Sequence, residues 1–165
     1  MSQSIDTRKS ATFRELHFSS IGDCQAEVQQ ILAADADGRL QATGNWTPGE
    51  IMSHVANWIE YGYTGYPIKA PPFFIRWILK RQARKMIAGS MPRGVRIPGV
   101  AGGTAGAEKM PTHAAAEKLL AALDRLQARE PVSFDSPAFG AMSDDDRIAL
   151  NLRHAELHLG FLKYS

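Results

Sequence analysis

Two histidines four residues apart, in Arg153-His154-Ala155-Glu156-Leu157-His158, constrain this chain more than any other feature. An α-helix turns about every 3.6 residues, so this spacing stacks both imidazoles on one face, one turn apart. Leu150, Leu157, Phe161 and Leu162 share that side, while Arg153, Glu156 and Lys163 fall on the other. The pair therefore lies in the stripe that the last predicted helix turns toward a core. Ser143 caps this helix, and Asp144, Asp145 and Asp146 in its first turn complement the helix dipole.

A third histidine belongs to another helix with an unusually clear beginning. Thr47-Pro48-Gly49-Glu50 offers a capping hydroxyl, proline at the first helical position, and a carboxylate three residues after the cap. The helix should run to about Tyr63 and stop before Gly65-Tyr66-Pro67. On its wheel His54 falls between Ile51, Trp58 and Tyr61, so it too points inward. Three further helical runs are readable, from Phe13 to Leu32, from Phe73 to Ile87 and from Pro111 to Arg129. Gly22 weakens the first, allowing a bend or a late start. Long irregular stretches fill Gly89 to Met110 and Pro131 to Met142, and no strand pattern is convincing. The expected class is all-α, and the glycine-rich Gly89–Met110 stretch reads as a lid, a binding loop or a mobile segment.

Three imidazoles in a helical core need partners, because each buried polar group left without one costs about 1–3 kcal/mol. Each can bond separately to a hydroxyl or carbonyl, or all three can converge on one cation. The second arrangement is a three-histidine site with one coordination position open to water or substrate. Neutral imidazoles suit zinc, nickel, copper and iron alike. No carboxylate is placed as a fourth ligand, since Glu50 precedes His54 by a turn and Glu156 faces away from the pair. His17 reads as a surface residue, with a cavity-lining role as the alternative. Cys24 reads as a buried structural thiol rather than a nucleophile, and as the only cysteine it excludes an intrachain disulfide.

With 165 residues, 44% hydrophobic and 22% charged, the chain is expected to form one domain over residues 1–165, with 1–11 as a flexible tail. The polar N-terminus lacks the apolar core of a secretory signal, and no run is long enough to span a membrane, so a cytoplasmic protein is the expectation. The net charge of +2 hides an asymmetry: residues 61–107 contain no acid and eight bases, leaving −6 for the remainder. Such a field favours anionic ligands or surfaces. Within it, Phe73, Phe74, Trp77, Ile78, Lys80, Arg81, Arg84 and Lys85 form an aromatic and basic amphipathic run. The favoured reading packs this helix on the others with its cations in solvent; the alternative lays it on an anionic membrane or a partner groove. Nucleic acid is not expected, because no recognition motif accompanies the charge.

The segments Gly44-Asn45-Trp46-Thr47-Pro48-Gly49-Glu50-Ile51-Met52-Ser53-His54 and Arg153 to Leu162 resemble the DinB-like superfamily of metal-binding four-helix bundles. Ile59-Glu60-Tyr61, Gly65-Tyr66-Pro67, Arg93-Gly94-Val95 with Pro98-Gly99, and Pro137-Ala138-Phe139-Gly140 are similar to a branch described only as a domain of unknown function. Arg147-Ile148 departs from a tryptophan that many relatives carry there. The resemblance implies a four-helix bundle with an extra helical and loop insertion between its second and third core helices. It implies His54, His154 and His158 as ligands of a divalent transition metal, zinc or nickel first, and dimerisation through bundle faces is open. It implies a metal-dependent transferase acting on a low-molecular-weight thiol; Arg76, Arg93 and Arg96 are candidates to hold its carboxylates, although a solvated basic surface is the favoured reading of the three. A metal-dependent hydrolase and a non-catalytic ligand-binding module are the alternatives.

Overall fold

The computed structural model describes residues 5–9, 12–97 and 100–165. Positions 1–4, 10 and 11 of the expected tail, and the Pro98-Gly99 motif, lie outside the described residues. The chain is all-helical: α1 (Ile21–Ala36), α2 (Pro48–Thr64), α3 (Phe73–Ala88), α4 (Thr112–Gln127) and α5 (Asp144–Leu159). Two strands of two residues each, β1 (Gln41–Ala42) and β2 (Leu162–Lys163), form a small antiparallel ladder beside them.

α2 packs most extensively on α4 and also on α5, while α1 packs on the same two helices. Val28 and Ile31 of α1, Met52 and Val55 of α2, Leu119, Leu123 and Leu126 of α4 and Leu159 of α5 meet in one core. α3 packs against α5, but only Ala83 of that helix is fully buried. Phe73, Phe74, Trp77 and Ile78 are exposed, so the aromatic half of α3 contributes nothing to the core.

The first helix starts later than the Phe13–Leu32 expectation. Ser20 and Asp23 form a capping box, in which the Ser20 hydroxyl accepts from the Asp23 amide and the carboxylate accepts from the Ser20 amide. The chain before it runs extended over α5: the Arg14 amide donates to the Gly160 carbonyl at 2.8 Å, and Phe13 meets Phe161 edge-on at 5.0 Å. This segment also changes the fate of Arg153 and Glu156. They face away from the histidine pair, as their spacing demands, yet both are buried and ion-paired at 2.8 Å. Glu156 accepts from the Phe18 amide and Arg153 donates to the Phe18 carbonyl, so the covering strip of backbone is hydrogen-bonded where it lies.

Candidate metal centre

The cap of α2 aims His54. Thr47 and Glu50 close their capping box at 2.9 and 3.3 Å, so the helix begins where the sequence says it must. Gly49 lies where the backbone at Met110 crosses the first turn; a Cβ there would come within 2.0 Å of the Met110 carbonyl oxygen. The chain leading to that crossing is then bonded to α2 residue by residue. The Ser53 hydroxyl donates to the Glu108 carbonyl, Asn57 Nδ2 donates to the Gly106 carbonyl at 2.7 Å, and the Trp58 indole donates to the Ala105 carbonyl at 3.1 Å. Gly106 makes this turn at a φ of 87°, with Tyr61 and Asn57 too close to admit a side chain.

The same Ala105 carbonyl lies 2.9 Å from His54 Nδ1. A carbonyl only accepts, so Nδ1 carries the proton and the lone pair belongs to Nε2. α5 brings its pair to the same point. Ring centroids are 4.4 Å apart for His54 and His158, 5.0 Å for His54 and His154, and 4.6 Å for His154 and His158. One nitrogen from each ring lies within 4.8 Å of the others. Trp46 stacks on His158 at 5.6 Å, with ring planes 12° apart, and lies 5.0 Å from His54.

Burial sets the charge of this cluster. It pushes His54 down to about 4, against a smaller upward pull from the bond to Ala105. His154 falls well below its ordinary value through burial and then through repulsion from His54. His158 falls likewise, through burial first and then its two histidine neighbours. At neutral pH all three are uncharged and able to donate lone pairs. Among the described residues, no protein group hydrogen-bonds the rings of His154 or His158, which are half-buried and face a cavity. Three converging acceptors, one with its donor nitrogen already engaged, fit a divalent cation with soft-to-borderline ligand preference.

The cavity has a volume of about 570 Å³, and Trp58, Tyr66, Met86, Phe134 and Phe139 give it a largely apolar wall. Of the arginines proposed for an anionic substrate, Arg96 lines it and Arg76 and Arg93 do not. Arg147, noticed in the sequence only as a departure from a tryptophan, does line it. Its guanidinium donates to Asp144 at 2.9 Å and to the Glu130 carbonyl at 3.2 Å, while its buried Nε has no partner among the described residues. His17 stands outside the site, 73% exposed, accepting from Arg153. Cys24 is fully buried and its thiol is pushed up to about 12, chiefly by burial, as a structural cysteine should be.

Sequence reading found the three histidines but missed the Ala105 carbonyl, because a backbone acceptor has no residue type; the neighbouring glycines were its only trace. The family model described as protein of unknown function (DUF1569) matches residues 10–165. No curated protein and no solved structure matches the chain.

Proposed function

Because the chain belongs to the DUF1569 family and brings three histidines to one point of its interior, we propose that His54, His154 and His158 hold one divalent transition metal and that the protein is a metal-dependent enzyme. The observation that carries this reading is the α5 pair: two uncharged imidazoles facing a cavity with no hydrogen-bond partner among the described residues. Their free ring nitrogens open to the cavity beside His54, and one shared ion would engage all three rings. The packing of α1, α2, α4 and α5 around one core supports a DinB-like four-helix bundle, with α3 and residues 89–110 inserted between its second and third helices. Imidazole ligands alone suit several divalent metals, and the resemblance to DinB-like proteins puts zinc or nickel first.

A metal held by three neutral imidazoles supplies a Lewis acid with a position left for substrate. The residues around it do the remaining work. The bond to Ala105 fixes the tautomer of His54 and so the direction of its lone pair. Trp46 and Trp58 wall the cluster and limit water. Arg96 and Arg147 bring two cations to the cavity against the one carboxylate of Asp135, which suits the carboxylates of a low-molecular-weight thiol, the substrate class of a transferase.

Metal content by mass spectrometry on untagged wild type, His54→Ala and His154→Ala tests the reading. Near-stoichiometric metal in the wild type and its loss in both variants is the expected result, followed by turnover in a screen of thiol donors. No metal, and no uptake of added zinc or nickel at neutral pH, would overturn it.

A further inference from the structure

α3 presents a face that nothing in the described residues covers. Phe73 is 84% exposed, Trp77 69%, Phe74 55% and Ile78 53%. At about 100° per residue these four fall within one arc of about 140° on the first two turns. Lys80, Arg81, Arg84 and Lys85, all exposed, continue the same arc over the next two turns. The inward side is carried by Ile75, Leu79, Ala83 and Met86, the last of which reaches the wall of the histidine cavity. The outward face is therefore ordered along the helix axis: aromatic first, cationic second.

We propose that this face docks on an anionic bilayer surface, with Phe73, Phe74, Trp77 and Ile78 entering the boundary between headgroups and acyl chains, and Lys80, Arg81, Arg84 and Lys85 lying among the headgroups. Charge complementarity selects this occupant. Two copies meeting through α3 would place four cations against four if parallel, or bury them on the partner's aromatic half if antiparallel, with no acid anywhere in residues 61–107 to pair them in either case. A groove in a partner protein is normally filled by apolar anchors repeating along the whole helix, whereas here they stop after two turns. A surface that is apolar below and anionic above meets both halves at once. Loose tethering agrees with this: α3 has no side-chain cap at its N-terminus and one buried residue. The proposal stands apart from the metal reading, since none of its residues is a histidine ligand.

Flotation of the full chain with vesicles tests it, using phosphatidylcholine alone and phosphatidylcholine with about one-third phosphatidylglycerol. Partition into the anionic vesicles, weakened by salt and absent from the neutral ones, is the expected result. Lys80→Ala with Arg84→Ala should lower that partition about 30-fold, at roughly one headgroup interaction lost per base. Phe74→Ser with Trp77→Ser should abolish it while the melting temperature stays that of wild type. Vesicles should also shift tryptophan emission to the blue, and Trp77→Phe should remove the shift and keep the binding, because Trp46 and Trp58 line the internal cavity. No partition by folded protein, or partition indifferent to both double variants, would overturn the proposal. So would a dimer in gel filtration that Trp77→Ser dissociates without any vesicle uptake, which would make a second copy the occupant.

Discussion

α2 and α3 have nearly the same length and both are rich in aromatic residues, yet their side chains have opposite fates. α2 buries ten residues, starts on a closed capping box, and is bonded along one side to residues 105–108. α3 buries one, begins after Pro72 with no side-chain cap, and holds two phenylalanines and a tryptophan out in solvent. The difference is not helix propensity. α2 has an apolar stripe that other helices cover, whereas the aromatic residues of α3 occupy the face opposite its inward one. The stability of α2 comes from packing, and its rigidity serves the histidine cluster; α3 belongs to the weakly held part of the structure.

The largest expected effect comes from acid acting on the metal-free protein. His54 ordinarily titrates near 6.5, and burial brings it down to about 4. Between those values the unfolded chain takes up a proton that the folded one refuses. Stability is therefore complete above about pH 6.5 and falls as pH drops toward 4, by about 3 kcal/mol for His54, with His154 and His158 acting in the same direction. Denaturant melts of chelated protein between pH 7 and 4.5 should show this slope, and His54→Gln should make it shallower, leaving the share of His154 and His158. An unchanged slope in the variant would mean that His54 is not held neutral by the fold.

A smaller effect tests the backbone crossing at the head of α2. Gly49→Ala places a methyl group 2.0 Å from the Met110 carbonyl, a collision with backbone that no side-chain rotation relieves. The expected cost is about 2–3 kcal/mol, or a fall of roughly 4–12 °C in melting temperature. Gly89→Ala, at the end of α3, meets its nearest atom at 3.3 Å and should cost a fraction of that. Equal losses in the two variants would erase the distinction between the helices.

How far the sequence reveals this arrangement follows from the range of each interaction. The Thr47–Glu50 box is local, so both the start of α2 and the inward direction of His54 can be read directly. The spacing of His154 and His158 is local too, and only their meeting with His54 required tertiary packing. Ser20–Asp23 is an equally local box, but Phe13 and Leu16 at helical spacing obscured it, and the extended segment before it is held by partners more than 130 residues away. The burial of Arg153 and Glu156 is hidden from the sequence for the same reason: what covers them is backbone from the other end of the chain. α3 was legible as an amphipathic helix, but not in the choice of which side faces the protein.

That last choice gives the smallest predicted effect and the sharpest one. Phe73 is 84% exposed and touches little beyond Phe74, whose ring lies edge-on at 5.7 Å. Replacing a core phenylalanine costs about 3–5 kcal/mol, because a cavity is left and buried area is lost. Phe73→Ser removes neither, and the expected change is within about 0.5 kcal/mol, or less than about 2 °C in melting temperature. A loss approaching the core value would show that Phe73 is covered in the free protein, by a second copy or by another part of the chain. A melting temperature that does not move leaves an apolar face maintained at no benefit to folding, which is what a helix needs when its aromatic residues act on something outside the molecule.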